Sequence, residues 1–326
     1  MRHSRGALAL LVTALAAAGC GASSGSRVSV PAVAAARVFT LARFTPAATI
    51  RAGRSTTLSF TVRQPSGAAL TRYKTGSGPH TGVHLIIVRD DLAYIIHDHP
   101  PISSSGQLTQ RVTFPAPGPY RVLVDIYPNL PGGQPNFQLF RSVDVAGAYH
   151  PQALPLFRAH QVVDGYHFDV QGRPALHAIQ AAFIHVNVTD PHGAPVHFHP
   201  WFGALAHAIF FRAGSLDYFH THVCAAGAPN CSSLLGASRI TGHATAPGKL
   251  TLGVLLPVGG TWRLFLQMRV HGRVLCFTRG GLQTQVGENA IVAVRVGLGQ
   301  RLAVHRDDAL AQFSGGLGNQ LLEPGA

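Results

Sequence analysis

This sequence of 326 residues is poor in charge and in lysine. Only 12% of its residues are charged, 13 are acidic, and lysine occurs only at Lys74 and Lys249. Low charge combined with 46% apolar residues excludes a mainly disordered chain. The net charge of +13 comes from scattered arginines, without the basic run that nucleic-acid binding needs, so we predict no nucleic-acid partner.

Sulfur is also scarce. The chain has two methionines and no methionine-rich segment, which argues against a cuprous-ion shuttle built on thioethers. Four cysteines leave few pairings: Cys224 and Cys231 would close a short loop as a disulfide, with Cys276 as the odd thiol. Pairing of Cys276 with either loop cysteine is the alternative. Connectivity cannot be deduced from the sequence alone.

No apolar run reaches the length of a membrane-spanning helix, which needs about 20 residues. The leader places Arg2 and Arg5 before a short apolar run, residues 7–18, as secretory signals do. The run ends in "AAAGC", which resembles a bacterial lipobox. We therefore predict a lipoprotein signal peptide over residues 1–20, lipidation of Cys20, a flexible linker over 21–37 and a location on the extracytoplasmic face of the cell membrane; an ordinary thiol at Cys20 is the alternative.

Glycine and proline are abundant, with 36 and 22 residues, which favours short strands joined by turns. The chain also repeats itself: "LSFTVRQPSGAAL" aligns with "IHVNVTDPHGAPV", and "QLTQRVTFPAPGPYRVLVD" aligns with "KLTLGVLLPVGGTWRLFLQ". Apolar residues alternate with polar ones in these segments, as in strands with one buried face. We predict an all-β protein of two tandem immunoglobulin-like antiparallel β-sandwich domains, residues 38–148 and 149–282, followed by a possible terminal strand and loose tail over 283–326.

Histidines recur in register in both copies. "HLIIVRDDLAYIIHDH" aligns with "HAIFFRAGSLDYFHTH", and the shared histidines are His84, His97, His99, His207, His220 and His222. Residues i and i+2 of a strand share a face, so each His-x-His pair projects together. A hairpin turning at Asp90 and Asp91 would place His84 opposite His97, and the second copy would place His207 opposite His220. Three imidazoles per domain predict one transition-metal site in each, for copper or zinc.

Further histidines and a cysteine lie near these segments. His197 and His199 form another same-face pair in "PVHFHP", and His80 precedes the first motif. Each would complete a metal coordination shell or lie in an exposed loop; exposure is favoured for His80, and the alternatives are balanced for His197 and His199. Cys224 follows the second motif and, as a thiolate, would be a soft ligand for copper or zinc.

The segments "HLIIVRDDLAYIIHDHP" and "FHPWFGALAHAIFFRAGSLDYFHTH" resemble the YtkA-like family of bacterial envelope proteins, whose members carry a similar His, Arg, His-x-His pattern. The resemblance covers most of residues 55–145 and 155–275, and "PWFGALAH" leads into the first histidine as it does in that family. It implies an immunoglobulin-like sandwich with copper or another heavy metal as ligand.

These observations predict an extracytoplasmic protein that buffers, senses or delivers metal ions and is attached to the membrane by a lipid anchor. An envelope metal-handling protein would be its partner. No carboxylate pair is repeated, no serine motif has usable context and no cofactor fingerprint occurs, so we predict that the protein is not an enzyme. The alternative is an envelope interaction or structural module of tandem sandwiches in which the histidines only pack.

Overall fold

A computed structural model describes residues 38–285, apart from 47–48, 173, 227, 229–230, 232–233 and 236–237. The predicted signal peptide, Cys20, the linker over 21–37 and most of the predicted tail lie outside the described residues. The described part contains strands and turns but no helix. It therefore offers no helix of the length and hydropathy that crossing a membrane requires.

The first sandwich is built from eight strands. They are β1 (Thr40–Thr45), β2 (Ile50–Arg51), β3 (Ser55–Arg63), β4 (Val83–Arg89), β5 (Ile95–Asp98), β6 (Gln107–Thr113), β7 (Gly118–Ile126) and β8 (Phe137–Ala146). One sheet has the order β1-β3-β6, and the other has the order β2-β8-β7-β4-β5. Apolar residues from both sheets form one buried core between them.

The second sandwich contains the remaining strands. They are β9 (His160–Val163), β10 (Tyr166–Val170), β11 (Leu176–His177), β12 (Ala182–Thr189), β13 (Phe198–His199), β14 (Ala206–Arg212), β15 (Tyr218–Cys224), β16 (Leu234–Leu235), β17 (Ser238–Arg239), β18 (Gly242–Ala246), β19 (Lys249–Val254), β20 (Gly260–Val270) and β21 (Arg273–Gln285). β18 pairs with both β15 and β19, so the two layers of this sandwich are continuous, in the order β11-β21-β20-β14-β15-β18-β19-β12-β10-β9.

In two strands, β3 and β12, buried and more exposed residues alternate as the sequence predicts. In β3, Leu58, Phe60 and Val62 are buried while the residues between them remain partly exposed. The equivalent strand β12 buries Ile184, Val186 and Val188 in the same way. Each set packs into the core of its own sandwich. The all-β fold and its one-face-buried strands are therefore confirmed.

The strands that begin with histidine are buried on both faces instead. Every residue of β4 is buried, and β14 is buried as far as Phe211. Alternate apolar residues of β4 and β14 pack into the core of their own sandwich, and Ile86, Val88, Ile209 and Phe211 belong to a third apolar group, the interdomain cluster. Its members are Ile86, Val88, Leu92, Ile95, Leu123, Ile209, Phe211, Leu216, Phe265 and Cys276. The two sandwiches thus pack against each other through the sheets that carry the histidines.

Candidate metal centre

The strand pattern directs the histidines of both sandwiches toward the interface. His84 is two residues before Ile86 in β4, and His207 is two residues before Ile209 in β14. Because residues i and i+2 of a strand share a face, each histidine points to the same side as the interdomain cluster. The histidines of the two sandwiches therefore lie close together at the interface.

The register of both hairpins differs from the predicted one by two residues. Ile86 is paired with His97, and in the second sandwich His207 is paired with His222 rather than with His220. Each hairpin has a four-residue loop that contains a leucine with positive φ, Leu92 at 61° and Leu216 at 58°, where the prediction assumed a two-residue turn. A shift of two keeps every side chain on its predicted face, so the histidines still converge.

The six histidines form one group between the sandwiches, where the sequence analysis assigned one site to each domain. We call it the histidine cluster: His84, His97, His99, His207, His220 and His222. The Nδ1 atoms of His84 and His220 lie 3.3 Å apart across the interface. The rings of His97 and His207, from different sandwiches, have centroids 4.9 Å apart. The six rings come together because the histidine-bearing faces of the two sandwiches pack against each other.

Three ring nitrogens of the cluster are fixed by acceptors. The Nε2 atom of His84 lies 2.7 Å from the Pro79 carbonyl oxygen, and that of His207 lies 2.9 Å from the Trp201 carbonyl oxygen. The Nδ1 atom of His97 lies 2.9 Å from Oε1 of Gln267. A carbonyl oxygen can only accept, so each of these nitrogens carries the proton and donates it. The opposite nitrogen of each ring keeps its lone pair, as metal-ligating histidines do.

The Nε2 atoms of His97 and His222 are buried without a hydrogen-bond partner. Both side chains are almost fully buried, with 2% and 1% of their surface exposed. A buried polar atom without a partner is costly, by about 1–3 kcal/mol, and calls for an explanation such as an ion. Metal coordination would provide the missing partner for both atoms.

The environment keeps the cluster neutral. Burial lowers the pKa of His84 to about 3, although its bond to Pro79 opposes the shift. Burial likewise lowers the pKa of His207 to about 3, partly offset by its bond to Trp201. For His97 and His220, burial and neighbouring histidines hold the pKa well below its ordinary value. Neutral imidazole is the form that binds metal ions.

Three groups of three histidines have ring nitrogens within 4.8 Å of one another. They are His84, His220 and His222; His84, His97 and His99; and His97, His207 and His220. Two of the three groups draw ligands from both sandwiches. Among the described residues, no such group consists of His207, His220 and His222 alone.

Loop residues complete the surroundings of the cluster. His80 is only partly exposed, and its Nε2 lies 3.1 Å from Nδ1 of His222, so the predicted exposed loop position is wrong. Trp201 packs edge-on against His97, and Phe202 stacks on His99 with ring centroids 4.0 Å apart. His80 and Phe202 occur in only one copy of the repeat, so comparing the copies gave no signal for them.

The additional candidates lie elsewhere. His197 is exposed just before β13 and His199 is exposed at its end, and neither belongs to a group of potential ligands among the described residues. Cys224 is paired with Cys231 in a disulfide with Cα atoms 6.1 Å apart, within the usual range, which removes its thiolate as a ligand. Cys276 is a free, buried thiol.

Asp125 and Gln267 occupy equivalent strand positions opposite the first histidine of each copy. Gln267 orients His97 of the other sandwich, a role that the sequence analysis missed. Asp125 instead accepts hydrogen bonds from Tyr127, Gln138 and, across the interface, Tyr218. Its carboxylate is thus occupied by donors outside the three histidine groups.

Two loops that cover the cluster touch at Gly203. The turn Trp201–Ala204 places both Phe202 and Gly203 at positive φ, 46° and 77°. A Cβ atom on Gly203 would lie 2.5 Å from the carbonyl carbon of Gly78 in the other sandwich. We expect Gly203→Ala to lower the free energy of unfolding by about 2–4 kcal/mol, because backbone strain and a backbone clash act together. Urea denaturation followed by circular dichroism measures this effect.

Gly193→Ala is the matched control. Gly193 has a similar φ of 83°, but nothing lies within 4 Å of an added Cβ atom. It carries the cost of positive φ alone, about 1 kcal/mol. Equal losses for the two variants would show that the loops do not depend on close contact at Gly203.

Solved structures resemble this chain only weakly. MtrC from Shewanella baltica OS185 shares 8% identity over 81% of this chain and 69% of its own, with a TM-score of 0.23. Invasin, a bacterial integrin-binding protein, shares 10% over 80% of this chain, with a TM-score of 0.20. A putative membrane anchored protein from Corynebacterium diphtheriae shares 9% over 81%, with a TM-score of 0.21. The chain spans 54% and 60% of the latter two.

No curated protein matches the chain. A family profile matches residues 39–140 and 161–279, one segment in each sandwich and together more than half of the chain. The protein therefore belongs to the family described as Domain of unknown function (DUF8832).

Proposed function

We propose that this protein binds transition-metal ions, copper or zinc, in the histidine cluster at the interface of its two sandwiches. The observation that carries the proposal is the ligand arrangement. Neutral rings are oriented by acceptors on one nitrogen, while the lone pairs of His84 and His207 and the unpartnered nitrogens of His97 and His222 remain for an ion. Such outer hydrogen bonds fix the tautomer and raise ligand basicity at known metal sites.

Ligand chemistry favours copper and zinc. The three groups contain imidazole nitrogen alone, a donor that suits copper, zinc, iron and nickel. No carboxylate or thiolate joins them among the described residues, which disfavours magnesium, calcium and soft cuprous sites. Cu(II) and Zn(II) are therefore the ions to test first.

Burial bears on how the ion would be used. His84 and His207 have no exposed surface, and His99 and His220 are only partly exposed. A site enclosed by two domains suits retention and controlled release of an ion more than rapid exchange. We assign the protein to metal buffering, sensing or delivery, with an envelope metal-handling protein as partner.

The leader supports the location in the proposal. Its charged start, short apolar run and "AAAGC" ending are typical of a bacterial lipoprotein signal, and no membrane-spanning helix occurs among the described residues. We propose that Cys20 carries the lipid and holds the metal centre at the extracytoplasmic face of the membrane. Mass spectrometry of the mature amino terminus tests this part of the proposal.

Metal content and titration test the proposed function. The protein, purified without a polyhistidine tag, is analysed for bound metal and titrated with Cu(II) and with Zn(II). We expect near-stoichiometric binding by the wild type and a loss of binding of at least tenfold in affinity for His97→Ala combined with His220→Ala. The double variant removes ligands from all three potential ligand groups.

His197→Ala combined with His199→Ala is the control, because it removes the same number of histidines from exposed positions outside the cluster. It should bind as the wild type does. A well-folded wild-type protein that takes up no ion would refute the proposal. The histidines would then be packing residues, and the alternative of an envelope interaction or structural module would take its place.

A further inference from the structure

His220 has a close neighbour on each side of its ring. Its Nδ1 lies 3.3 Å from Nδ1 of His84, and its Nε2 lies 3.3 Å from Nδ1 of His207. His84 belongs to the first sandwich and His207 to the second. The ring of His220 therefore lies between the first histidine of one copy and the first histidine of the other. His220 is therefore in contact with the first histidine of each copy.

A neutral ring at this position cannot satisfy both neighbours with hydrogen bonds. His84 and His207 each donate their Nε2 proton to a carbonyl, so both present a lone pair at Nδ1. A neutral imidazole carries one ring proton, so His220 can donate to only one of them. The other contact brings two lone pairs to 3.3 Å, which is unfavourable unless a cation lies between them.

The distances suit a cation on each side. Two nitrogens bound tetrahedrally to one ion, with bonds of about 2.0–2.1 Å, lie about 3.3–3.4 Å apart. Both contacts of His220 have this length. Moreover, the group of His84, His220 and His222 and the group of His97, His207 and His220 have only His220 in common. Each group also includes a buried nitrogen without a hydrogen-bond partner, Nε2 of His222 in the first group and Nε2 of His97 in the second.

We propose that the cluster is a dinuclear centre in which the imidazolate of His220 bridges two metal ions. One ion is bound by Nδ1 of His84, Nε2 of His222 and Nδ1 of His220; the other is bound by Nδ1 of His207, Nε2 of His97 and Nε2 of His220. This inference rests on the proposed function, since it specifies the number and connection of the ions. When the second ion binds, its bond replaces the remaining N–H bond of His220, and that proton leaves to water.

The proposal also accounts for His99. Its ring stacks on His84 at 4.2 Å and on Phe202 at 4.0 Å, which holds His84 in position. The group of His84, His97 and His99 offers a competing arrangement, with one ion bound entirely by the first sandwich. That group takes a ligand from each of the two proposed ion sites, so it cannot be filled together with them. The two arrangements differ in stoichiometry.

Electron paramagnetic resonance of the copper-loaded protein tests the proposal. An imidazolate bridge couples the two Cu(II) spins, so at saturation we expect two bound copper ions per chain and loss of most of the low-temperature Cu(II) signal. Unfolding the same sample in acid should restore the signal for all bound copper, which separates coupling from reduction to Cu(I). His222→Ala and His97→Ala should each bind one ion with a full, uncoupled signal.

Each other outcome overturns the inference. Saturation at one copper ion per chain, or two ions with the full signal of two independent spins, would refute the bridge while leaving the metal-binding function intact. Absence of copper binding would refute both. Circular dichroism of each variant ensures that a missing ion reflects a missing ligand and not an unfolded chain.

Discussion

Replacing Ile209 by aspartate is expected to separate the two sandwiches and to weaken Cu(II) binding by at least tenfold. Ile209 is fully buried in the interdomain cluster, two residues after His207 on the same face of β14. The substitution removes a buried aliphatic side chain and introduces a carboxylate without a partner. We expect a loss of about 3–5 kcal/mol in the free energy of unfolding, concentrated at the interface. Urea denaturation and Cu(II) titration measure the two effects.

Ile179→Asp makes the same chemical change at a matched surface position. Ile179 is 81% exposed and has a φ of 55°, a conformation that aspartate tolerates better than isoleucine. Its stability should stay within about 0.5 kcal/mol of the wild type, with unchanged copper binding. Full copper binding by Ile209→Asp with separated sandwiches, seen by small-angle X-ray scattering, would contradict a shared centre and restore one site per domain.

The comparison of the two repeats identified the six histidines and the face of the strand on which they lie. It did this because the spacing His-x-His fixes a shared face in any strand, whatever its partner. The register of the two hairpins could not be predicted from the sequence. It depends on the loop length and on the positive φ of Leu92 and Leu216, a conformation in which leucine is unusual. The two-residue error in the register left each histidine on its predicted face of the sheet.

The sequence does contain a pattern that indicates contact between the two histidine-bearing faces. The segments after His84 and His207, "LIIV" and "AIFF", are continuously apolar, whereas strands such as β3 alternate. A continuous run in a short strand indicates burial on both faces. The histidine-bearing face of each sandwich is therefore expected to be buried against another surface, and in this protein that surface belongs to the other copy. Gln267 could not be recognised in this way, because its counterpart in the first repeat is Asp125.

Duplication also explains why the ligands are not arranged symmetrically. The copies have kept the histidines but diverged around them: Asp125 replaces Gln267, and His80 has no counterpart beside His207. One group of potential ligands lies within the first sandwich, and the second sandwich supplies His220 to both mixed groups. A cluster shared between unequal copies is expected to bind its ions with unequal affinities.

The hairpin that carries His97 depends on a buried ion pair, and Asp91→Ala is expected to lower the free energy of unfolding by about 3–5 kcal/mol. Arg89 donates to both carboxylate oxygens of Asp91, at 2.8 and 2.6 Å, and both side chains are at most 4% exposed. Asp91 also accepts from the backbone nitrogen of Gln152, which ties the segment between the sandwiches to this loop. Without Asp91, the buried guanidinium of Arg89 would keep its hydrogen bond to the Pro117 carbonyl oxygen but would lose its carboxylate partner.

Asp217→Ala is the matched comparison in the second copy. Asp217 pairs with Arg212 at 3.3 Å, but the side chains are 42% and 34% exposed, so water screens the pair and its loss should cost less than about 1 kcal/mol. Urea denaturation of both variants measures the difference. Equal losses would show that burial of the pair at Arg89 adds nothing. A larger loss for Asp91→Ala with weaker Cu(II) binding would show that this loop supports the metal centre, either through the hairpin that carries His97 or through the segment at Gln152.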